Sequence, residues 1–405
     1  MPGWKSFEAF LRDAVQTSDD AQRQTLVDDL LRERTVWPWI NDNRATFAWN
    51  RADTHSAAVN LDTIKGDPPF ARMIHLEGTS LWYVTLTFEH DDLLDYLLAI
   101  DDPMTPLKAE PDLVNRMLRH WQIDPLNPLR MQTSQVNVSV LRMPDARPFP
   151  DWESMKAVTR GTLHEHIISS RQLNFAQRRL NVYTPPGYDP EGDREYPLMI
   201  VLDGQWGIAP LQIPYMADAL IKHNRIQPML IAMLQSGSQE ERTREFAAND
   251  RHYLFLLTEL LPFVQSNYRV DPLELGVAGV GIGAAGAVHA ALMNPVAFNH
   301  LIMISPPLHS RGGEDEKINR YLTSFEQADT LPLRIFQSVG RYELASRFLQ
   351  PAHQLAETLY RRRDVAYQFV EVGSGHSLAG FKAILPEALA WVFPGSASQP
   401  DDTED

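Results

Sequence analysis

The residues best placed for covalent chemistry lie in the run VAGVGIGAAGAVHAALMNP, which begins at Val277. A strand-like apolar stretch leads into a glycine-packed turn and then a helical stretch, an order typical of a nucleophile elbow. In such an elbow the pattern is Gly-x-Ser-x-Gly, and the serine hydroxyl attacks an ester or amide carbonyl. Here the flanking glycines Gly279 and Gly283 are present, but the central residue is Gly281. The sequence therefore predicts a turn shaped for a nucleophile that carries no hydroxyl group.

Two other interpretations fit the same glycines. One is a glycine-rich strand-to-helix turn with no catalytic role. The other is a dinucleotide fingerprint, because Gly281, Gly283 and Gly286 match G-x-G-x-x-G between a strand and a helix. The next strand, LIMIS, ends in Ser305-Pro306-Pro307, and no acidic residue follows at about 20 residues to hold a ribose. Dinucleotide binding is therefore a minor alternative.

Oxyanion donors are predicted from two backbone segments. An Asp-Gly turn follows the apolar run PLMIVL and leads into Gln205 and Trp206, where a hydrolase sheet supplies one backbone N–H. The N–H of Ile282, directly after the elbow position, would be the second donor. Asp-Gly is also a common turn, so this assignment depends on the neighbouring motifs.

A general base and its orienting acid are predicted near the C-terminal end of the chain. His376 lies in Gly373-Ser374-Gly375-His376 after the run QFVEV, in the chain order expected for the base. Glu343 lies in VGRYE after the run LRIFQSV, where the acid would follow its strand. His376 could equally be a surface histidine, and Glu343 could be a charge at a helix N-terminus.

The elements that must position these residues suggest two domains, as 405 residues exceed the usual size of one. Helical spacing predicts an N-terminal helical arm over 1–40, and short alternating runs predict a β-sandwich over 41–150. Continuous apolar strands alternating with helices over 151–395 predict an α/β domain with a mostly parallel sheet and helices on both faces. The acidic end, 396–405, is predicted to be disordered.

Composition limits the partners and the chemistry. The net charge of −15 disfavours nucleic acids and anionic membranes, and no basic run offsets it. The chain has no cysteine, so disulfides, thiolate nucleophiles and thiolate metal sites are excluded. No apolar run is long enough for a membrane span, and the first residues do not form a secretory signal; we therefore expect a cytoplasmic protein. The oligomeric state cannot be derived from the sequence.

Other side chains suggest sites less strongly. His164-Glu165-His166 would place two imidazoles on one face of a strand, but no third metal ligand is evident, so we predict no metal site. Trp37-Pro38-Trp39 and Trp82-Tyr83 are interpreted as packing residues rather than a carbohydrate platform. The segment SGSQEERTREFAAND, residues 236–250, reads as a solvated mixed-charge loop when taken alone.

Together these motifs resemble the enterochelin esterases and their esterase-D-like relatives over nearly the whole chain. The resemblance is carried by the runs LEGTSLWYVTLTF, DDPMTPL, DPLNP, GTLHEHIISS, VYTPPGYDP, VLDGQW, RTREFAAND, the elbow region and GSGHS. It implies an α/β-hydrolase domain behind a β-sandwich, and a ligand that is a ferric siderophore or a related ester. It also implies a role for each matching residue: nucleophile position Gly281, base His376, acid Glu343, oxyanion region Gln205, Trp206 and Ile282, and polar ligand loop Arg242, Glu245 and Asn249.

The departure at Gly281 determines the expected activity. Loss of the nucleophile costs a serine hydrolase about a millionfold in turnover, whereas binding can persist. None of the serines nearest in the chain, Ser236, Ser305, Ser374 and Ser377, sits on the turn after the elbow strand. We therefore expect a pseudo-esterase that binds a siderophore or ester, with no cofactor and with iron present only inside a ferric ligand. The alternative is an active hydrolase or acyl-handling enzyme that uses water activated by His376 or another nucleophile.

Overall fold

The structure is a computed structural model that describes residues 3–133, 137–148, 150–309 and 316–398. These residues form two compact units. The sandwich unit comprises the chain up to Pro148 together with Gly373–Gly380, and the hydrolase unit comprises the remainder. The sandwich unit therefore includes a distant segment that the sequence analysis assigned to 151–395. The predicted boundary at 150 lies close to the end of its main part.

The helical arm forms two helices, α1 (Phe7–Gln16) and α2 (Asp20–Glu33). Ser6 and Asp19 cap them, because each side chain accepts a hydrogen bond from a backbone N–H in the first turn. Phe10 and Leu30 are buried in one core cluster with Trp37. The arm and the Trp-Pro-Trp segment thus belong to the core of the sandwich unit, which confirms their interpretation as packing elements.

The sandwich unit contains two sheets. Its strands are β1 (Trp39–Asn41), β2 (Arg44–Asn50), β3 (Ala57–Asn60), β4 (Phe70–Arg72), β5 (Ile74–His75), β6 (Leu81–Thr87), β7 (Leu93–Ile100), β8 (Trp121–Gln122), β9 (Arg130–Gln132) and β10 (Asn137–Arg142), with helix α3 (Leu113–His120) between β7 and β8. One sheet has the order β1-β2-β6-β5, and the other β4-β3-β7-β10-β9, with β8 paired to β7. Phe47 and Tyr96 pack across the sheets with ring centroids 5.0 Å apart. The predicted sandwich is confirmed.

The hydrolase unit is built on one eight-stranded sheet. Its strands are β11 (Thr162–Ser170), β12 (Phe175–Thr184), β13 (Tyr196–Leu202), β14 (Leu230–Leu234), β15 (Val270–Val280), β16 (His300–Ile304), β17 (Arg334–Gly340) and β18 (Ala366–Val372), in the order β11-β12-β14-β13-β15-β16-β17-β18. β11, β12 and β14 pair antiparallel, and every later pairing is parallel. This confirms the predicted mostly parallel sheet.

Helices connect these strands. They are α4 (Gly204–Ile208), α5 (Ile213–Lys222), α6 (Gln239–Phe246), α7 (Asp250–Phe255), α8 (Leu261–Asn267), α9 (Ile282–Met293), α10 (Tyr321–Gln327), α11 (Gln350–Leu359) and α12 (Leu378–Val392), with π-helical turns at Leu256–Leu260 and Ala345–Leu349 and 3₁₀ turns at Leu107–Ala109, Glu316–Arg320 and Ser396–Ser398. In the part of the chain that the structure describes, no helix is both long and apolar enough to cross a bilayer. Of the predicted tail, 399–405 lie outside the described residues.

Residues 236–250 are not a loop. Ser238 and Glu241 form a capping box, in which each side chain bonds the backbone of the other, and α6 starts at this box. Arg242 and Glu245 are buried on α6 rather than solvated. The mixed-charge interpretation was wrong because these charges are neutralised by partners distant in the chain.

The parallel strands determine where the functional segments meet. β13 and β15 pair directly, with Val201 opposite Ala278, and β15, β16 and β17 are consecutive neighbours. Because parallel strands end at the same edge of a sheet, the segments after these four strands lie along one edge. The elbow, the Asp-Gly turn, Ser305 and Glu343 all follow these strands.

We predict that Gly279→Ala destabilises the hydrolase unit by about 1–3 kcal/mol, because an added methyl overpacks the contact between β15 and α9. A Cβ at Gly279 would lie 2.3 Å from the backbone carbonyl group of Gly283. Gly207→Ala is the matched control, since its added Cβ would make only ordinary contacts of 3.4 Å. Urea unfolding followed by circular dichroism measures both. Equal unfolding midpoints in the two variants would contradict this packing argument.

Candidate functional site

The elbow has the predicted strand-turn-helix form. Gly281 lies between β15 and α9 with φ 57° and ψ −128°, a conformation that glycine adopts readily and other residues adopt at a cost. Its N–H donates to the carbonyl oxygen of Ile304 at 2.9 Å, which ties the turn to β16. The helix that follows begins at Ile282, and the first N–H groups of a helix have no acceptor within it. The turn thus presents backbone donors but no side-chain nucleophile.

Ser305 and Glu343 form a buried pair beside the elbow. Ser305 directly follows β16 with φ 49°, and its hydroxyl donates to Oε1 of Glu343. The same oxygen accepts the N–H of Gly340 at 2.7 Å. The sequence placed both residues after neighbouring strands but did not predict their pairing. The Ser305 hydroxyl therefore hydrogen-bonds the Glu343 carboxylate and not an imidazole.

The segment after β13 is fixed by side-chain bonds to the segment after β14. The amide of Gln205 donates to Ser236 Oγ at 2.8 Å and accepts from the Ser236 N–H at 3.1 Å. The N–H of Trp206 donates to the carbonyl oxygen of Asp203 at 2.9 Å, so this N–H is already engaged. Of the two predicted oxyanion residues on this segment, Gln205 is the better placed to donate its backbone N–H. It is the second residue of α4, and the N–H groups of a helix's first turn have no acceptor within the helix.

Asp203 is a residue that sequence reasoning did not select. It is 3% exposed, has φ 60°, and its Oδ1 accepts the Nε–H of Arg242 at 2.7 Å. The Arg242 guanidinium lies 4.6 Å from the centroid of the Trp206 ring. Oδ2 of Asp203 is buried without a hydrogen-bond partner among the described residues, and a Cβ on Gly283 would lie 2.8 Å from it. Asp203 therefore contacts α6 through its hydrogen bond with Arg242, and it lies close to the first turn of α9 at Gly283.

The other two residues of the predicted ligand loop also have structural partners. Glu245 forms a buried bidentate ion pair with Arg178 on β12, at 2.5 and 2.6 Å. Asn249 caps α7: its side-chain oxygen accepts from the N–H of Arg251 at 2.9 Å, and its amide donates to Arg244. The polar side chains of Glu245 and Asn249 thus already have protein partners. Their roles in ligand binding stay predictions.

His376 belongs to the sandwich unit rather than to the unit that carries the elbow. It is exposed, within the segment Gly373–Gly380. The N–H of Leu93 donates to the carbonyl oxygen of Gly373 at 2.7 Å. The carboxylate of Asp62 lies against Gly375, where an added Cβ would be 1.7 Å from Oδ2. No local sequence pattern predicts these contacts.

Asp95 on β7 lies against the start of α12. It is half-buried, but its Oδ1 is shielded from solvent and lacks a hydrogen-bond partner among the described residues. Burial and the charge of Asp62 raise the pKa of Asp95 to about 7, although interactions with the N–H groups of Ala379 and Leu378 act to lower it. A carboxyl group at a helix N-terminus is thus kept partly protonated near neutral pH.

Two weaker candidates from the sequence, the histidine pair on β11 and the dinucleotide fingerprint, have structural explanations. Nε2 of His164 lies 3.2 Å from the Thr184 hydroxyl, and Nε2 of His166 lies 2.7 Å from the Tyr268 hydroxyl. Among the described residues no group of three or more potential ligands could hold a metal ion. A Cβ on Gly286 would lie 3.1 Å from side-chain carbons of Leu202 and Phe246, so the third glycine of the fingerprint serves helix packing.

Comparison with known proteins agrees with this architecture. Residues 44–152 match the family "Enterochelin esterase, N-terminal", and residues 173–392, more than half of the chain, match the family "Putative esterase". The chain belongs to the enterochelin esterase family. It is 22% identical over 280 residues to the iron(III) salmochelin esterase of Escherichia coli O6:H1. That match covers 66% of each chain, so it spans just under two thirds of the relative.

Solved structures of this family share the fold. An enterobactin esterase from Shigella flexneri, determined in the presence of enterobactin, gives a TM-score of 0.73 at 21% identity over 90% of this chain and 97% of that one. A ferric enterobactin esterase from Salmonella typhimurium gives 0.74 at 21% identity, over 90% of this chain and 98% of that one. These likenesses confirm the predicted α/β-hydrolase-like fold with an N-terminal β domain.

We predict that Arg242→Met destabilises the protein by about 3–5 kcal/mol, because Asp203 would remain buried without its cation. Arg244→Met on the same helix is the control, since Arg244 is exposed and lies 3.8 Å from Glu240. We expect the control to change stability by less than about 1 kcal/mol. Chemical denaturation distinguishes the two, and similar losses would show that Asp203 does not depend on Arg242.

The protonation of Asp95 predicts a pH dependence of stability. Because its pKa is raised in the folded protein, the folded state binds more protons than the unfolded chain, whose Asp has a pKa of about 3.9. Its contribution is complete below that value and is lost as the pH rises through about 7. Between about pH 5 and about pH 8, the melting temperature of the native protein should fall relative to that of Asp95→Asn. Parallel pH curves for the two proteins would contradict this assignment.

Proposed function

We propose that this protein binds a ferric siderophore or a related catecholate ester and performs little or no serine-dependent hydrolysis. One observation carries the proposal: Gly281 occupies the turn between β15 and α9 in a conformation suited to glycine, where an elbow nucleophile would stand. A hydrolase that lacks its nucleophile keeps only the acceleration that binding and oxyanion donors supply.

The remaining parts of the elbow support a site specialised for binding. Helix α9 still begins at Ile282, and the Gln205 and Ser236 side chains still fix the neighbouring segment. Ser305, which directly follows the neighbouring strand β16, donates its hydroxyl to Glu343. The serine of a Ser-His-Asp triad donates its proton to an imidazole, whereas the Ser305 hydroxyl is held by a carboxylate, so Ser305 is not placed to replace the absent nucleophile in that way.

The ligand class is proposed from the family and from local charge. The similar proteins are named as esterases of salmochelin and enterobactin. A net charge of −15 repels anionic ligands, so such a ligand needs a local cation. Arg242 supplies one: Asp203 takes up its Nε–H, and none of the described residues accepts a hydrogen bond from its terminal Nη groups. A planar guanidinium suits catecholate oxygens and a negatively charged ferric complex.

The test compares the native protein with Gly281→Ser on iron-free and ferric triscatechol trilactones. We expect the native protein to quench its tryptophan fluorescence on binding and to release linear product only at the residual rate that binding and oxyanion donors supply. Adding the hydroxyl should raise turnover by at least about tenfold, since the nucleophile is normally the largest single contribution. The strain of a side chain at this φ should cost about 1–3 kcal/mol of stability.

Gly187→Ser is the matched control for that substitution. Gly187 also has a positive φ, 76°, and no heavy atom lies within 4 Å of an added Cβ. It should therefore reproduce the strain without gaining turnover. Rapid hydrolysis by the native protein that His376→Ala abolishes would refute the proposal and indicate water activated by the imidazole. The absence of any binding would refute it as well.

A further inference from the structure

The segment that carries His376 is fixed to the sandwich unit on both sides of the histidine. Before it, the Leu93 N–H holds the Gly373 carbonyl oxygen at 2.7 Å, and the Asp62 carboxylate lies against the backbone of Gly375. After it, Asp95 interacts with the Ser377 hydroxyl and with the first N–H groups of α12. His376 itself is exposed between these attachments.

The segment also has bonds of its own that restrict its shape. The N–H of Ser377 donates to the carbonyl oxygen of Gly375 at 2.9 Å, and the hydroxyls of Ser374 and Ser377 lie 3.0 Å apart. Ser377 Oγ accepts the N–H of Gly380 at 3.3 Å and so caps α12. The backbone is therefore constrained from Gly373 to Gly380. Two carboxylates of the sandwich unit lie against this segment: Asp95 on β7 and Asp62 in the turn after β3.

We propose that Asp95, together with Asp62, is a positioning residue for His376: the two carboxylates fix the start of α12 and the backbone before it, and thereby the direction of the imidazole. This inference rests on the proposed function, which makes His376 a ligand-facing residue.

Charge couples the two carboxylates. A negative group at a helix N-terminus is favourable, because the unpaired N–H groups and the helix dipole attract it. The groups that face Asp95 are the Asp62 carboxylate, the Ser377 hydroxyl and the N–H groups of Leu378 and Ala379. Asp62 opposes the ionisation of Asp95, while the helix favours it. The protonation state of Asp95 at the start of α12 therefore depends on the charge of Asp62.

Nuclear magnetic resonance of the full chain tests the proposal. The Cε1–H signal of His376 is assigned by its absence in His376→Gln and then compared in Asp95→Asn, Asp62→Asn and Asp124→Asn. Asp124 is the matched control: it is buried in the same unit and accepts the Tyr96 hydroxyl and the Leu126 N–H, at 2.7 and 2.8 Å. We expect Asp95→Asn to shift or broaden the His376 signal beyond its linewidth, and the control to leave it unchanged.

Asp62→Asn supplies a second readout that a purely structural role would not alter. Removing its charge should lower the pH at which the signals of Ser377–Gly380 titrate, because Asp95 then ionises more easily. An unchanged His376 signal in Asp95→Asn, or equal changes in Asp124→Asn, would overturn the proposal. Neither outcome depends on ligand binding, so a failure of the proposed function would appear separately, as an absence of siderophore binding.

Discussion

The close approach of β15 to α9 is the constraint on which the candidate site depends. At Gly279 no side chain fits between strand and helix, and at Gly281 the backbone turns with a positive φ. This packing points the first N–H groups of α9 toward the edge where β13, β16 and β17 also end. The geometry of the turn is therefore fixed by backbone packing and not by the side chain at its centre. A glycine there is compatible with that shape and carries no hydroxyl group.

Buried ion pairs then set the electrostatics around that edge. Asp203 and Glu245 neutralise Arg242 and Arg178, and both pairs are largely shielded from solvent. Removing one partner of such a pair is costly, so these pairs hold α6 against the sheet. The Arg242 guanidinium also stacks on the ring of Trp206, so the same side chain fixes both α6 and the segment after β13.

The sequence predicted the elements whose signals are local. Continuous apolar runs indicated the parallel strands, and the glycine spacing indicated the turn at Gly281. Helix α6 was missed because its charges suggested a solvated loop. The pairs that build the site could not be read from spacing: Asp203 and Arg242 are 39 residues apart, and Asp95 meets α12 only through tertiary packing. Such contacts follow from the fold and have no short-range pattern.

The most direct test of the account is a single-turnover experiment with the native protein in excess over a triscatechol trilactone. Samples are quenched over time, and mass spectrometry follows both the intact protein and the ligand. We expect that the protein never carries an acyl adduct and that the lactone opens only at the residual rate that binding and oxyanion donors supply, because no hydroxyl stands at position 281. A covalent adduct on any residue, or rapid addition of one water to the ligand, would contradict it.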